Sequence, residues 1–213
     1  MPIKSVLFDL DGTLCDTLPL HIEAFQLVTA EFTGEAFSPA SITAHFGKTE
    51  EGIMAGLIPQ HMPAAYQRYC QVFADFQWRV PRPIPGVEEL IQDLHQRGVK
   101  IGIVTGRGPH TTQITLRQYQ LEPYIQVVET GSPHRVIKST SLRLAVQKLG
   151  LTPGEAVYVG DTESDMQAAS TAGTAFAGAA WASTATLQAP GDAGTVGIFR
   201  SIQDFHTWCN DHV

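Results

Sequence analysis

Apolar and polar positions follow two different patterns along the chain. Residues 3–10 form a short apolar run with β-branched and aromatic members, and the run ends at Asp11-Gly12. This pattern is typical of a buried strand followed by a tight turn. Over residues 16–80 the apolar positions recur at helical spacing, as at Phe25 and Val28, and strand-like runs are missing. The pattern therefore predicts one strand followed by an all-helical stretch.

A proline-rich segment separates this helical stretch from the rest of the chain. The segment reads Val80-Pro81-Arg82-Pro83-Ile84-Pro85-Gly86. Prolines at this density are incompatible with the interior of a helix, because each one removes a backbone donor and restricts the residue before it. We interpret the segment as the place where the chain leaves one module and re-enters another.

Beyond residue 86, strands and helices alternate. The predicted strands cover residues 99–104, 125–128, 156–159, 175–177 and 196–199, and the predicted helices cover residues 87–97, 109–119, 140–149, 163–172, 184–187 and 202–210. Such alternation implies right-handed βαβ units and an α/β domain with a parallel sheet. Ligands of open parallel sheets bind beyond the carboxyl ends of the strands, so the residues that follow each strand are the candidates for ligand binding and catalysis.

Composition narrows the possible partners. The chain has 213 residues and a formal net charge of −7, which disfavours nucleic acid as a partner because phosphate-binding proteins usually carry a basic excess. Cys15, Cys70 and Cys209 are widely spaced, and this predicts neither a disulfide framework nor a zinc site. No apolar run is long enough to span a bilayer, so we expect no membrane association and a cytoplasmic location.

Two carboxylates follow the first predicted strand. Asp9 and Asp11 flank Leu10, and the turn at Gly12 can bring both side chains toward one pocket. Unpaired carboxylates at that distance repel each other and raise each other's pKa. A divalent cation relieves the repulsion, and a site made only of oxygen ligands suits Mg²⁺. The alternative interpretation is a pair of solvated aspartates in a turn.

Further polar groups follow other predicted strands. Thr105 and Gly106 offer a hydroxyl and a backbone N–H at the start of a helix, where anions bind. Lys138 precedes a predicted helix and could neutralise a bound phosphate. Asp161 and Asp165 lie at a strand end and in the first turn of the next helix. Taken singly, these residues could equally be a glycine turn, a surface lysine and a helix cap.

Taken together, these motifs resemble those of the haloacid dehalogenase-like superfamily of phosphohydrolases. Asp9–Thr13, Thr105, Lys138 and Gly160–Asp165 are similar to its Asp-x-Asp-Gly-Thr, Thr/Ser, Lys and Gly-Asp-x-x-x-Asp signatures, in the same order. The resemblance covers nearly the whole chain. It is closest to the phosphoglycolate phosphatase and β-phosphoglucomutase-like subfamily, whose members carry a helical cap.

The resemblance implies a fold and a domain organisation. The core would be a Rossmann-like, doubly wound parallel sheet formed by residues 1–15 and 83–213. An α-helical cap domain would be inserted over residues 16–82. The implied function is a Mg²⁺-dependent phosphatase that hydrolyses small phosphate monoesters, phosphoglycolate-like or sugar phosphates, through an aspartyl-phosphate intermediate.

The resemblance also implies roles for individual residues. Asp9 would be the nucleophile, and Asp11 the general acid and then the general base. Thr105, Gly106 and Lys138 would bind the phosphate. Because Asp11 must be protonated in the first step, its pKa should be raised in the substrate complex.

The implied metal site uses several of the same acids. Mg²⁺ would be held by the Asp9 carboxylate, the main-chain carbonyl of Asp11 and Asp161, with Asp165 close by or acting through water. The chain departs from close relatives after Lys138, where Ser139 stands in place of the usual proline. This departure affects the expected placement of Lys138 more than its role.

The predicted cap contains candidate specificity residues. His21 resembles a histidine that lies near the acid/base aspartate in sugar phosphomutases, although a packing role is equally compatible with its position. Gly47, Lys48 and Thr49 fall where relatives carry a loop that faces the active site. Lys48 could contact a carboxylate or a second phosphate of the substrate, or it could be a solvated loop lysine.

A β-phosphoglucomutase-like sugar phosphomutase is the runner-up. Asp16, Thr17 and His21 match that group, but Glu50 stands where those enzymes carry an arginine, which favours a phosphatase. A non-catalytic regulator that binds a phosphorylated metabolite is disfavoured, because both acids of the first motif are present. The expected partner is a small phosphorylated metabolite, and the chain is expected to be a monomer or homodimer. Arg107 is left with two interpretations, a substrate contact or a surface residue.

Overall fold

A parallel sheet forms the centre of the protein, which we describe from a computed structural model covering residues 2–187 and 194–213. In the described part, the strands are Ser5–Phe8 (β1), Lys100–Val104 (β2), Val127–Glu129 (β3), Ala156–Gly160 (β4), Ala175–Ala179 (β5) and Thr195–Phe199 (β6). They pair in the order β3-β2-β1-β4-β5-β6, and every pairing is parallel. The predicted doubly wound α/β fold is therefore confirmed.

The helices follow the predicted alternation closely. They are Leu18–Thr33 (α1), Pro39–Thr43 (α2), Glu50–Leu57 (α3), Ala64–Gln77 (α4), Val87–Gln96 (α5), Pro109–Gln118 (α6), Lys138–Lys148 (α7), Glu163–Ala172 (α8) and Ile202–His212 (α9). The predicted short helix over residues 184–187 is wrong, since that segment is a turn followed by irregular chain. Four residues make only about one helical turn, and the cost of helix nucleation is then not recovered.

Strand β1 is buried on both faces of the sheet. Phe8 belongs to the apolar cluster under α5 and α9, whereas its neighbour Leu7 belongs to the cluster under α7 and α8. Because successive side chains of a strand point to opposite faces, a strand covered by helices on both sides must be apolar at every position. This explains why the first strand reads as a continuous apolar run.

Helices α1 to α4 have an apolar cluster of their own. In this cluster Phe25 of α1 stacks on Tyr69 of α4, with ring centroids 4.3 Å apart. The helices therefore do not depend on the sheet for most of their burial. The division into a core of residues 1–15 and 83–213 and a cap of residues 16–82 stays a prediction.

The strand order brings chemically active chain segments together. Strand β1 lies between β2 and β4, and Phe8 pairs in register with Ile103 on one side and Val159 on the other. The residues that follow these three strands therefore emerge side by side at one edge of the sheet. No helix in the described part is long and apolar enough to cross a membrane.

Candidate active site

A pocket opens at the carboxyl edge of the sheet, with a volume of about 370 Å³. It is of the size that small ligands occupy. Its lining combines residues from the strand ends with residues from the helical region. Among the candidates from the sequence, the lining includes Asp9, Asp11, His21, Gly47, Lys48, Thr105, Gly106, Lys138 and Asp161. Residues from distant parts of the sequence therefore share one cavity.

The turn after β1 is held tightly against the next strand end. The backbone N–H of Leu10 donates to the Asp9 carboxylate at 2.8 Å, which fixes the orientation of that side chain. Gly12 has a φ of +72°, and a Cβ at this position would lie 2.2 Å from Oδ2 of Asp161. Only glycine fits this conformation and this space. The glycine of the motif therefore lets the Asp161 carboxylate approach the loop that carries Asp9 and Asp11.

Lys138 is the first residue of α7 and bridges two carboxylates. Its Nζ donates to Asp9 Oδ2 at 2.8 Å and to Asp165 Oδ1 at 2.6 Å. Burial disfavours the ammonium, but the carboxylates of Asp165 and Asp9 hold the pKa of Lys138 well above its ordinary value. The lysine therefore stays charged, and it is aimed at the oxygen atoms of Asp9.

Asp165 is fully buried and serves mainly to hold its neighbours in place. Its Oδ2 accepts from the backbone N–H and the hydroxyl of Thr162, which closes a capping box at the start of α8. Its Oδ1 accepts from the Tyr158 hydroxyl at 3.1 Å and from Lys138. The carboxylate is thus fixed on several sides, and it fixes Lys138 in turn.

Three acids form a potential cation site. Oxygen atoms of Asp9, Asp161 and Asp165 all lie within 4.8 Å of one another. Burial, together with the repulsion from neighbouring carboxylates, raises the pKa of Asp9 to about 6 and that of Asp161 to about 8. A buried set of oxygen donors with excess negative charge is the environment that a hard divalent cation stabilises. These residues fit Mg²⁺.

Asp11 does not point at the other acids, because Arg107 holds it. The guanidinium donates from Nε to Oδ2 at 2.6 Å and from Nη2 to Oδ1 at 2.5 Å, and the Thr17 hydroxyl donates to Oδ1 at 2.7 Å. Burial favours the neutral acid, but Arg107 outweighs it and holds the pKa of Asp11 well below its usual range. These contacts thus stabilise an ionised Asp11, whereas the resemblance implies a raised pKa in the substrate complex.

Arg107 was not identified as an Asp11 partner from the sequence. It is buried, and its Nη1 also donates to the Thr115 hydroxyl at 2.8 Å, so the interpretation as a surface residue is wrong. The residue lines the pocket as well. Its position two residues after Thr105 is the only signal in the sequence, because its partner lies far away in the chain.

The helical region contributes a neutral histidine next to Asp11. His21 Nδ1 shares a hydrogen bond of 2.5 Å with the Tyr69 hydroxyl, and its ring stacks on Phe73 with centroids 4.3 Å apart. Its Nε2 lies 3.8 Å from Asp11 Oδ1. Burial, assisted by the charge of Arg107, lowers the pKa of His21 to about 3. The imidazole is therefore uncharged at neutral pH.

The loop before α3 contacts both the pocket and the chain segment before α7. Gly47 and Lys48 line the pocket, but Thr49 does not. Thr49 is buried, and its backbone N–H donates to the Ser132 carbonyl at 3.2 Å. The candidate Thr49 thus contacts the chain segment that precedes α7.

Glu50 makes a second contact of this region, which joins α3 to the start of α6. Its carboxylate accepts from the Gly108 backbone N–H at 2.6 Å and from the Thr111 hydroxyl. Both donors belong to the start of α6, so a side chain from the helical region caps a helix that follows β2. This contact could not be predicted from the sequence, because the two residues are more than fifty positions apart.

Comparison with known proteins identifies the family. The family model of the haloacid dehalogenase-like hydrolases matches residues 6–179. The chain belongs to this family. The predicted resemblance is confirmed, and so is the prediction that the protein is a hydrolase. Among curated relatives of this haloacid dehalogenase-like hydrolase, the pyrophosphatase PpaX of Bacillus pumilus is 32% identical over 185 residues, which are 84% of each chain.

Solved structures share the fold of this haloacid dehalogenase-like hydrolase. CbbY from Rhodobacter sphaeroides, in complex with phosphate, superposes with a TM-score of 0.80 at 20% identity, over 95% of this chain and 96% of that one. A haloacid dehalogenase-like family hydrolase from Streptococcus pneumoniae gives a TM-score of 0.75 at 21% identity, over 97% and 98% of the chains. The Rossmann-like architecture with helices inserted after the first strand is thus shared across nearly the full length.

Proposed function

We propose that this hydrolase is a Mg²⁺-dependent phosphatase that hydrolyses small phosphate monoesters, phosphoglycolate-like or sugar phosphates, through an aspartyl-phosphate on Asp9. One observation carries the proposal. The Asp9 carboxylate lines the pocket, the Lys138 ammonium lies 2.8 Å from it, and carboxylate oxygens of Asp9 and Asp161 lie within 4.8 Å of each other. These contacts support the assignment of Asp9 as the nucleophile, Lys138 as the phosphate-binding cation and Asp161 as a metal-binding acid.

Asp9 acts as the nucleophile in this proposal. Its orientation is fixed by Leu10 N–H and Lys138, so one carboxylate oxygen is presented to phosphorus for in-line attack. Attack of a carboxylate on a phosphate dianion is opposed by charge repulsion, and Lys138 offsets part of it. Thr105 and Gly106 line the pocket beside Asp9, where a hydroxyl and a backbone N–H can hold the remaining phosphate oxygens. The covalent step divides hydrolysis into two easier ones.

The metal would be held by residues already described. We assign the Asp9 carboxylate, the main-chain carbonyl of Asp11 and the Asp161 carboxylate as ligands, with Asp165 nearby or acting through water. When bound, Mg²⁺ supplies charge neutralisation for the phosphate and for the cluster of acids.

Asp11 is proposed as the acid that protonates the leaving oxygen and as the base that then activates water. Without substrate, Arg107 and Thr17 keep its carboxylate ionised at the side of the pocket. Because the first step requires a proton on Asp11, we expect the arriving leaving group to replace part of the Arg107 contact. Loss of that contact raises the pKa of Asp11, as the first step demands.

Residues 16–82 are proposed to act as a cap over the core of residues 1–15 and 83–213. In this structure the contacts of Thr49 and Glu50 hold the helical region against the sheet domain. A cap in this position excludes water and presents His21, Gly47 and Lys48 to the substrate, while Thr49 anchors their loop.

A sugar phosphomutase is the second candidate. It is favoured by His21, whose Nε2 lies 3.8 Å from Asp11. It is disfavoured by Glu50, which occupies the position of the mutase arginine and whose carboxylate is buried against Gly108 and Thr111. Incubation with β-glucose 1-phosphate separates the two, because a phosphatase releases free phosphate and a mutase forms glucose 6-phosphate.

Replacement of Asp9 tests the proposal directly. In the presence of Mg²⁺, we expect Asp9→Asn to lower phosphate release from p-nitrophenyl phosphate by at least about 10⁴-fold, because covalent catalysis is lost with the nucleophile. Acid-quenched wild-type enzyme should carry phosphate bound to protein, and the variant should not. Asp75→Asn, the same change at an exposed position on α4, should retain wild-type activity. Equal activity of the wild type and Asp9→Asn would contradict the aspartyl-phosphate route.

A further inference from the structure

The turn of residues 105–108, here called the phosphate turn, carries the proposed phosphate ligands Thr105 and Gly106 and leads directly into α6. Helix α6 begins at Pro109, and Gly108 occupies the capping position before it. Glycine has no side chain that can accept from the first N–H groups of a helix, and the first turn of α6 contains no acidic residue. The start of α6 therefore needs an acceptor from elsewhere in the molecule.

Glu50 supplies that acceptor from the first turn of α3. Its carboxylate accepts from the Gly108 N–H at 2.6 Å and from the Thr111 hydroxyl, and the residue is buried. Helices that cap themselves often use a glutamate at the third helical position, which accepts from the N–H of the capping residue. Thr111 occupies the third position of α6, so Glu50 performs the role of that glutamate from another part of the chain.

Two glycines bring the phosphate turn into close contact on both sides. A Cβ at Gly108 would lie 2.8 Å from Glu50 Oε2, so the carboxylate lies directly against the backbone of the turn. On the other side, a Cβ at Gly131 would overlap the carbonyl group of Gly106, and the Gly131 N–H donates to the Arg107 carbonyl at 2.8 Å. The phosphate turn is thus enclosed between the loop that follows β3 and the side chain of Glu50.

A third glycine lets α3 approach the segment before α7. A Cβ at Gly52 would overlap the carbonyl group of Pro133, and the Thr49 N–H donates to the Ser132 carbonyl at 3.2 Å. Both contacts involve backbone atoms, which cannot rotate away as the end of a side chain can. They fix the position of α3, and with it the position of the Glu50 carboxylate.

We infer that Glu50 is a positioning residue for the phosphate turn. It holds the Gly108 N–H in place, and it thereby sets the positions of the Gly106 N–H and the Thr105 hydroxyl. The inference rests on the proposed function, because that function assigns these two groups to the phosphate. Glu50 does not itself bind phosphate, since its oxygens accept from the start of α6 and its negative charge would repel an anion.

Replacement of Glu50 separates positioning from charge, because the two predict opposite results. Inorganic phosphate would be titrated by calorimetry into the Mg²⁺-loaded wild type, Glu50→Gln and Glu51→Gln. The Gly108 N–H and the Thr111 hydroxyl bind different oxygens of the carboxylate, and an amide offers only one oxygen. One hydrogen bond is therefore lost in Glu50→Gln, and we expect the dissociation constant of phosphate to rise about fivefold or more.

A role of charge alone would instead make phosphate bind more tightly to Glu50→Gln, because a repulsive carboxylate is removed. Unchanged or tighter binding in this variant would overturn the inference. Glu51→Gln makes the same change at the exposed neighbouring position and should keep the wild-type affinity.

Magnesium affinity shows whether the effect is confined to the phosphate turn. Measured without phosphate, the dissociation constant of Mg²⁺ should be the same in the wild type and in Glu50→Gln, because the proposed ligands Asp9 and Asp161 make no contact with Glu50. Equal losses of Mg²⁺ and phosphate affinity would indicate a general loosening of the pocket, and they would overturn the inference.

Two glycines of α3 provide a second test that leaves Glu50 intact. Gly52→Ala places a methyl group against the backbone of Pro133 and should displace α3, so we expect phosphate affinity to fall at least as far as in Glu50→Gln. Gly56→Ala adds the same methyl group against the ring of His45, a side chain that can turn away, and it should keep the wild-type affinity. Wild-type affinity in Gly52→Ala, or an equal fall in both variants, would contradict the inference. Circular dichroism verifies folding, and if Gly52→Ala does not fold, the titration of Glu50→Gln decides.

Turnover distinguishes failure of this inference from failure of the proposed function. With Mg²⁺, Glu50→Gln should raise KM for p-nitrophenyl phosphate more than it lowers kcat, because the phosphate is held less well before the reaction as well as during it. Hydrolysis by the wild type, combined with unchanged phosphate affinity in Glu50→Gln, overturns the inference alone. Phosphate binding that depends on Glu50, without hydrolysis of any ester, supports the inference and overturns the proposed phosphatase. Failure of the wild type to bind phosphate overturns both.

Discussion

Two arginine–carboxylate pairs of similar geometry lie in different regions of the molecule. At the pocket, Arg107 donates two hydrogen bonds to Asp11, and on the outer surface of the helical region Arg68 donates two to Glu31 at 2.8 and 2.9 Å. The Arg107 side chain is 4% exposed, whereas that of Arg68 is 39% exposed. Similar bonds should therefore contribute very differently, because desolvation and not bond geometry sets the cost of losing one partner.

The same contrast extends to the surroundings of each pair. At the carboxyl edge of the sheet, buried acids surround one lysine and one arginine. Removal of any single charge therefore leaves another charge without its partner. The helical region is instead held together by aromatic packing around Tyr69, and its ion pairs lie outside this packing. Electrostatic substitutions should therefore have large effects at the pocket and small effects on the outer surface of the helical region.

Arg107 should give the largest effect on stability. Arg107→Met leaves the Asp11 carboxylate partly buried without its cation, and we expect a loss of about 3–5 kcal/mol in the free energy of unfolding. Urea denaturation at neutral pH measures it. Arg68→Met is the matched control, and it should change the midpoint very little. Similar losses in both variants would refute the contrast between the two regions.

A double variant sharpens this test. Asp11→Asn combined with Arg107→Met removes both charges, so it should be more stable than Arg107→Met alone. The double-mutant cycle gives the coupling between the two side chains. Additive losses would show that Arg107 acts through packing and not through its pair with Asp11.

Magnesium binding should produce the next largest change in stability, and this change should depend on acids at the carboxyl edge of the sheet. At about 100 times its dissociation constant, Mg²⁺ should stabilise the fold by about 2.7 kcal/mol, because it binds the folded state only. A thermal melt with and without a chelator measures the shift. Asp161→Asn should abolish the shift, and Asp75→Asn on α4 should keep it. A full shift in Asp161→Asn would exclude Asp161 as a ligand.

Glu50 tests the contact between the two regions. Glu50→Ala leaves the Gly108 N–H and the Thr111 hydroxyl without their acceptor, and we expect a loss of about 1.5–3 kcal/mol in stability. Because the contact also holds the proposed cap closed, KM for p-nitrophenyl phosphate should rise. Glu51→Ala, the same change at the exposed neighbouring position, serves as the control in both measurements. Identical behaviour of the two variants would show that Glu50 does not act as a link.

The smallest expected effect concerns the stability of the exposed Arg68–Glu31 pair at low pH. The hydrogen bond from Arg68 lowers the pKa of Glu31 below its ordinary value of 4.5. A depressed carboxyl pKa contributes stability above the unfolded-state pKa, and the contribution is lost as pH falls below about 4.5. Glu31→Gln should remove this small slope, and added salt should weaken it in the wild type. The free energy of unfolding, measured from pH 6 to 3 for the wild type and Glu31→Gln, would show the difference in slope. An unchanged slope in Glu31→Gln would mean that other groups cause the pH dependence.

Much of the fold was predictable because local patterns carry it. The apolar run before Asp9 predicted the first strand, and the prolines of residues 80–86 predicted a junction. The later alternation predicted the remaining strands and helices. The failure at residues 184–187 has a physical reason: Leu187 packs into the core without a helix around it, and a single apolar residue can be buried from irregular chain as well.

The candidate site divides in the same way. The sequence placed Asp9, Thr105 and Asp161 at strand ends, and parallel pairing alone is enough to bring such positions to one edge. The roles of Arg107 and Glu50 could not be predicted from the sequence, because each side chain binds a partner from another region of the chain. For His21 the sequence left open whether it lies near Asp11 or has a packing or surface role. In the structure its ring stacks on Phe73 and its Nε2 lies 3.8 Å from Asp11 Oδ1.

By itself, the amino-acid sequence determined the alternation of strands and helices, the insertion after the first strand and the order of the motifs at the strand ends. These features depend on local periodicity and on a few residues with special backbone or charge properties. Only the tertiary structure decided which acids face one another, which arginine binds Asp11, and that Glu50 joins α3 to the start of α6. Those outcomes depend on distance and desolvation between residues far apart in the chain, and neither quantity is encoded in any local pattern.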